Sequence, residues 1–396
     1  MTEWEDVVLA SLGRFSSGKP IKPGLDGPYQ AFGSNGVIGR SENARHPSGV
    51  IVGRVGAYCG SVAVSREPFW ASDNTIVIEP VRSADLDYLY YLLCNASLNQ
   101  HAGGAAQPLV TQGALKSLIF SVPDSASRRL IGALLRLFDD LIQNSRQRVQ
   151  VLEQMARAIY REWFVHFRYP GHESTTLVES PLGAIPEGWK IARVGEICSR
   201  IQAGGTPRRS ETAFWEDPEV DWYKTGDLTD SVLIRSSERI SRFAFASSSA
   251  RSFQPGTILM AIYGSPTVGR LGLVECLSSA NQAALGLVAD PRVSSTEHLW
   301  FALRELREHL NQIAQGAAQQ NVSKQKVEDA STVLPPVDLV RAFSAVAGAP
   351  WRLSHVLRRE GSALAALRDA LLPKLVTGQI DVSSLDLDAL VESSVA

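Results

Sequence analysis

Thr206-Pro207-Arg208-Arg209 is followed by Asp221-Trp222-Tyr223-Lys224-Thr225-Gly226-Asp227-Leu228, and these two segments look suited to recognition chemistry. An arginine fork bonds a guanine edge through two donors, while a lysine or a backbone amide holds a phosphate oxygen. Trp222 and Tyr223 read first as core or strand-face residues. A second stretch, residues 234–253, carries Arg235, Arg239, Arg242 and Arg251 against one acid. A phosphate track and a solvated face explain it about equally well. Nearer the N-terminus, residues 29–40 run Tyr-Gln-Ala-Phe-Gly-Ser-Asn-Gly-Val-Ile-Gly-Arg, with Arg54 and Tyr58 downstream. Their Gly-Ser-Asn-Gly turn presents backbone amides and short polar side chains, as such turns do in any β-rich protein.

Catalytic constellations are missing from the sequence. There is no H-E-x-x-H, and the histidines at 46, 101, 166, 172, 298, 309 and 355 do not cluster at metal-ligand spacing. Residues 264–271 imitate a phosphate-binding loop but carry Arg270 for its lysine and Leu271 for its Ser or Thr. No G-x-S-x-G elbow and no strand-linked G-x-G-x-x-G is present. A binding protein is favoured over an enzyme.

Composition is compatible with this. The chain has 396 residues, 44% hydrophobic and 20% charged, which is ordinary for a folded soluble protein. Net charge is −2, from 39 basic and 41 acidic residues. That argues against a non-specific polyanion binder, yet leaves room for basic residues gathered on one face. No apolar run reaches the ~18 residues of a membrane helix, the acidic N-terminus has no signal-like core, and four dispersed cysteines fit a reducing cytoplasm.

These residues need elements to position them, and the chain supplies them twice. Gly104-Ala105-Ala106-Gln107 recurs as Gly316-Ala317-Ala318-Gln319, and the same offset of 212 joins Pro123 to Pro335. Residues 72–78 loosely match 279–288, and residues 3–13 match 188–197. Within each half, Gly-punctuated β-branched runs (49–64; 256–275) and a short helix candidate (86–98; 296–314) read as a mixed α/β globule.

A long helix follows each globule. Residues 125–167 contain no proline and one glycine, with Ile131, Phe138, Ser145, Leu152 and Ile159 recurring every seven residues. Leu134 and Leu141 form the other seam, which continues as Val149, Ala156 and Trp163 after a one-residue shift. In the second half Phe343, Leu357, Leu364 and Leu371 form one seam, and Val346, Leu353 and Leu367 the other. Pro350 should break or kink this helix near Ala349, leaving it uninterrupted from about Trp351 to Leu372. Two helices with such 3-4 repeats most simply pair antiparallel.

The sequence resembles a DNA-specificity subunit of a Type I restriction–modification system over nearly its whole length. The resemblance is carried by residues 29–39, 158–171, 185–197, 204–228 and 371–380; the Gly-Gly-Thr-Pro to Gly-Asp-Leu segment and the closing Leu-Leu-Pro-Lys-Leu are the most specific. It departs where such proteins usually place Glu-Gln after a Pro-Pro: Val337-Asp338-Leu339-Val340 follows Pro335-Pro336, and Asp124-Ser125-Ala126 follows Pro123. Pro350 is unusual as well.

The resemblance implies an α+β fold of two target recognition globules, each followed by a long helix, the helices packed as an antiparallel coiled coil in a pseudo-two-fold repeat. The expected division is a first recognition domain at 1–123, a first spacer helix at 124–170, a linker at 171–186, a second recognition domain at 187–336, a second helix at 337–378 and a tail at 379–396. Expected partners are double-stranded DNA, two modification subunits, which hold S-adenosylmethionine and methylate adenine, and through them restriction/translocase subunits. The chain itself would hold no cofactor or metal and catalyse nothing. The expected DNA-facing residues are Tyr29, Ser34, Asn35, Arg54, Tyr58 and Asn74 in the first globule. In the second they are Thr206, Arg208, Arg209, Lys224, Thr225, Tyr263, Ser265, Asn281, Gln282 and Asn321. Two alternatives stay open: the specificity part of a single-chain restriction or methyltransferase system, and a scaffold that binds only protein.

Overall fold

The computed structural model describes residues 3–22, 24, 26–103, 108–264, 267–314 and 321–382. Two compact units divide the chain: residues 1–144 with 361–396, and residues 145–360.

In the first unit the strands Gly13–Ser17, Thr75–Pro80, Gly49–Gly53 and Val62–Ser65 form an antiparallel sheet in that spatial order. The run Gly-Val-Ile-Val-Gly at 49–53 is buried along its whole length, so it reads as continuous apolar rather than alternating sequence. A smaller sheet places Tyr29–Gly33 between Gly36–Ser41, antiparallel, and Phe69–Ala71, parallel. Trp4–Val8 pairs with Ile119–Pro123, so the strand that opens the globule lies beside the one that leaves it.

The second unit repeats this topology. Cys198–Ala203, Ala284–Ala289, Ile258–Ala261 and Leu271–Val274 take the same order, with one added strand, Ser231–Leu233, parallel to the last. Val220–Tyr223 lies between Glu238–Ile240, antiparallel, and Ser279–Ala280, parallel. Lys190–Arg193 closes against Ser331–Leu334. Even the minor helices correspond. Thr111 Oγ1 caps Gln112–Lys116 by accepting from Ala114 N at 3.1 Å, and Ser323 Oγ caps Lys324–Asp329 by accepting from Lys326 N at 3.2 Å. These caps are separated by the same 212 residues as the sequence repeat.

The first long helix is Ser125–Tyr160, and one wider π-helical turn, Arg161–Val165, continues it. Asp124 starts it: one carboxylate oxygen accepts from Ala126 N at 2.8 Å and Ser127 N at 3.0 Å, and the other from Ser127 Oγ at 2.9 Å. Those bonds, the Ser127 amide foremost, hold the Asp124 carboxyl below the usual carboxylate range. The second long helix is Val337–Val376.

The sequence expectations need three corrections here. The second seam of the first helix is Leu135, Ile142, Val149, Ala156 and Trp163, all buried at strict seven-residue spacing. No register shift occurs; Leu141 lies on the exposed side. On the second helix Val346, Leu353 and Leu367 are 52%, 43% and 48% exposed and do not form a seam. The inward positions include Val340, Ala347, Ser354 and Leu375, all buried. Pro350 does not end this helix, which runs unbroken from Val337. The proline removes the amide that would bond the Val346 carbonyl, and that residue is exposed, so water can take the amide's place.

Each unit contains a stretch of both helices. In the first, Ile131 and Leu135 join Leu375, Val376, Tyr88 and Tyr91 in one core cluster. Asp139 accepts from Tyr91 Oη at 2.5 Å and pairs with Arg368. In the second, Glu153 pairs with Arg358 at 2.8 Å while Tyr160 packs on Phe343 at 5.7 Å between ring centres. As one residue number rises the other falls, so the helices run antiparallel.

The same core buries two histidines. His298 is fully buried among Tyr160 and Phe164, with Nδ1 on Ser294 Oγ at 2.9 Å and Nε2 without a partner. His355 stands edge-on to Trp351, flanked by Arg352, Arg358 and Arg359. Burial pulls both down to about 4. Between pH 6.5 and 4 the unfolded chain therefore binds protons that the folded unit does not. Stability is complete above 6.5 and is lost as pH falls toward 4, by roughly 3 kcal/mol per histidine. Six of the eight tryptophans lie in this unit, so urea unfolding followed by their fluorescence should show the midpoint dropping across that window. His298→Phe should flatten the drop by about half; equal midpoints at pH 6.5 and 4.5 would contradict the assignment.

Candidate nucleic-acid interface

In the first globule the hairpin turn Ser34-Asn35 meets three other loops at one end of the sheets. Ser34 Oγ donates to the Asn74 carbonyl at 2.7 Å, Ser61 Oγ donates to the Ser34 carbonyl, and Arg54 N donates to the Asn74 carbonyl at 2.9 Å. Gly53 makes this possible: a Cβ there would lie 2.5 Å from the Tyr58 carbonyl oxygen and 2.8 Å from that of Ser34. Ser34, Asn35, Arg54 and Asn74 thus share a patch, with Tyr58 beside it on the single turn Gly56–Tyr58, 52% exposed. Tyr29 is not part of it. It lies at the far end of its strand, paired with Ser41.

In the second globule the equivalent loops converge in the same way. Asn281 N donates to the Tyr223 carbonyl at 2.9 Å, as Ser72 N does to that of Phe32 at 2.8 Å; Ile262 N donates to the Ala283 carbonyl at 2.9 Å, as Arg54 N does to that of Asn74. Thr206 Oγ1 donates to Gln282 Oε1, and Ser249 Oγ donates to the Thr206 carbonyl at 2.7 Å. The Gly-Gly-Thr-Pro segment is held by Trp222, whose Nε1 donates to the Gly205 carbonyl at 3.1 Å. Trp222 is buried, in keeping with its core reading. Thr206, Arg209, Lys224, Thr225, Asn281 and Gln282 gather here. Tyr263 and Asn321 face each other on the adjoining loops as a β-bridge, next to the Ile262–Ala283 link. Arg208 is exposed, its carbonyl accepting from Trp215 Nε1 at 3.2 Å. Ser265 and both Gly-Ala-Ala-Gln tetrapeptides lie outside the described residues.

Two residues at this patch were not evident from the sequence. Trp215 lies under Arg209, whose guanidinium carbon sits 3.9 Å from its ring centre. Glu238 bonds both Arg209 Nη1, at 2.5 Å, and Lys224 Nζ, at 2.7 Å. Those bonds, the arginine's first, hold its carboxyl below the ordinary range. Glu238 is the single acid in the arginine-rich stretch 234–253, and its isolation there was the available signal. Two of that stretch's four arginines are engaged by the 219–221 segment: Arg242 with the Glu219 carboxylate at 2.7 Å, and Arg239 with the Glu219 carbonyl at 2.6 Å. Arg235 and Arg251 are exposed.

Among the described residues, no group of three His, Cys, Asp or Glu side chains could hold a metal, and no helix is long and apolar enough to cross a membrane. The duplicated globule, with its polar loop patch built twice on one topology, defines a protein of two like modules.

The family model for the Type I restriction modification DNA specificity domain matches twice, over residues 2–154 and 186–338, and the chain belongs to this family. It is similar to the MjaIX specificity subunit of Methanocaldococcus jannaschii, 24% identical over 347 residues, covering 86% of this chain and 79% of that protein. The EcoprrI specificity subunit of Escherichia coli is 31% identical over 130 residues, about a third of each chain. The crystal structure of an S subunit from M. genitalium has the same fold, with a TM-score of 0.68 at 15% identity over 94% of this chain and 96% of that one.

Proposed function

We propose that this chain is the non-catalytic reader of a cytoplasmic Type I restriction–modification complex, each globule recognising one half of a split DNA sequence. The observation that carries this is the repeated patch: the same loops at the same sheet ends present short polar side chains, amides and arginine or lysine in both globules. Base edges would supply specificity and phosphates affinity. The net charge of −2 keeps affinity for arbitrary duplexes low. S-adenosylmethionine would be held by the modification subunits rather than by this chain, and restriction subunits would join through them. Exposed Val346, Leu353 and Val356, aligned along one face of the second long helix, support docking of a modification subunit there.

The test is selection from a pool of randomised duplexes by the chain assembled with its modification subunit. Two half-sites at fixed spacing are expected. Arg208→Ala should weaken preference at one half-site by about 10- to 100-fold, the worth of one bidentate base contact. Equal weakening on every sequence would reassign Arg208 to the phosphate backbone, and enrichment of no sequence would overturn DNA reading in favour of a protein-binding scaffold.

A further inference from the structure

We propose that Glu238 is a specificity-determining residue of the second globule, a carboxylate that keeps Arg209 and Lys224 off the phosphate backbone and fixes them for base edges. The inference rests on the DNA-reading function above.

Glu238 stands opposite Trp222 across the antiparallel pair, and its two oxygens are divided between the two cations. Arg209 is restrained a second time from its face. Trp215 stacks beneath it and is itself fixed, by its bond to the Arg208 carbonyl and by its edge-on contact with Trp222 at 5.4 Å. An arginine so held has one donor engaged and its plane set, while the rest of its five-donor fork stays available. The neighbouring charges do not compete for Glu238. Asp227 accepts from Lys224 N at 2.8 Å and from Ser237 Oγ, and Asp221 faces Arg239 at 3.6 Å.

The consequence for binding follows from charge and entropy. A free arginine or lysine on a flexible stem meets the nearest phosphate on any sequence, which raises non-specific affinity. Two cations sharing one carboxylate carry a net charge of +1, so the patch attracts a duplex less indiscriminately. Side chains already ordered lose less freedom when they reach a base edge. An exposed ion pair of this kind adds little to folding stability, so its effect should be seen in recognition.

Glu238→Gln in the full chain, assembled with its modification subunit, tests this. Two probes are used: a pool of randomised duplexes, and one mixed-sequence duplex titrated across a salt series. The half-site read by the second globule should lose tenfold or more of its base preference while the other half-site is unchanged. The mixed-sequence duplex should bind three- to tenfold tighter, its log K against log salt slope steepening by about one. An unchanged second half-site with an unchanged slope overturns the proposal, and so does equal loss at both half-sites. If wild type itself enriches no sequence, DNA reading fails rather than this role. Should Glu238→Gln fail to assemble, Glu238→Asp, which keeps the charge but is one methylene too short to span both partners, should lose base preference at the second half-site with the salt slope unchanged; full preference retained there overturns the proposal.

Discussion

Gly205→Ala should abolish reading of the second half-site while the first is still read. A Cβ at this position would lie 1.9 Å from the Ser249 carbonyl oxygen, a backbone atom with no rotamer to yield. Gly205 N also donates to the Ala280 carbonyl at 2.9 Å, and the Gly205 carbonyl accepts from Trp222, so the segment is fixed on both sides. Relief requires moving either the loop at 249 or the strand at 279–280, and either shift displaces Thr206, Gln282 and Arg209 together. Overpacking typically costs about 1–3 kcal/mol and more where the neighbour is backbone that cannot yield, and discrimination at that half-site should fall about 100-fold. Gly226→Ala is the control, because its Cβ would meet nothing within 4 Å. Duplex selection by both variants decides the matter; a second half-site motif surviving in Gly205→Ala would refute the close-approach account.

Deleting one heptad from each long helix, residues 142–148 and 361–367, should abolish recognition at the natural spacing. These deletions keep the Asp139–Arg368 and Glu153–Arg358 pairs and rejoin Leu135 to Val149 at seam spacing. Seven residues amount to about 10 Å of helix, close to three base pairs at ~34 Å per turn, with a rotation of roughly 100° of duplex. The enriched motifs should keep both half-site sequences but be separated by about three fewer unread base pairs. Retention of the original spacing would show that the helices do not set it. A heptad removed from one helix alone should lower stability, because the seams no longer match.

What the sequence made legible follows from which side chains carry a signal. Ile131, Phe343 and Leu357 are large and apolar, so their period was visible, and the duplication showed because loops of equal spacing close both globules. The inward positions Ala347 and Ser354 were not visible, since small or polar side chains leave no apolar trace. Val346 and Leu353 were read as buried in their place, although they face outward. Pro350 was read by a rule that assumes its missing bond is costly, and exposure of Val346 removes that cost. At the candidate interface, local motif reading gathered Ser34, Asn35 and Arg54 correctly into one neighbourhood but included Tyr29, which strand direction carries away. Glu238 looked like a solvated acid because nothing in a linear chain shows that Arg209, 29 residues earlier, returns to meet it.

One unit is continuous in sequence, residues 145–360, whereas the other is assembled from 1–144 and 361–396. The inner unit can complete its core as soon as it leaves the ribosome. The outer one cannot, because Tyr88, Ile131 and Leu135 are covered by Leu375 and Val376, which are synthesised more than two hundred residues later. The globule translated first is thus the last to mature, and until then it presents an unfinished apolar surface to chaperones.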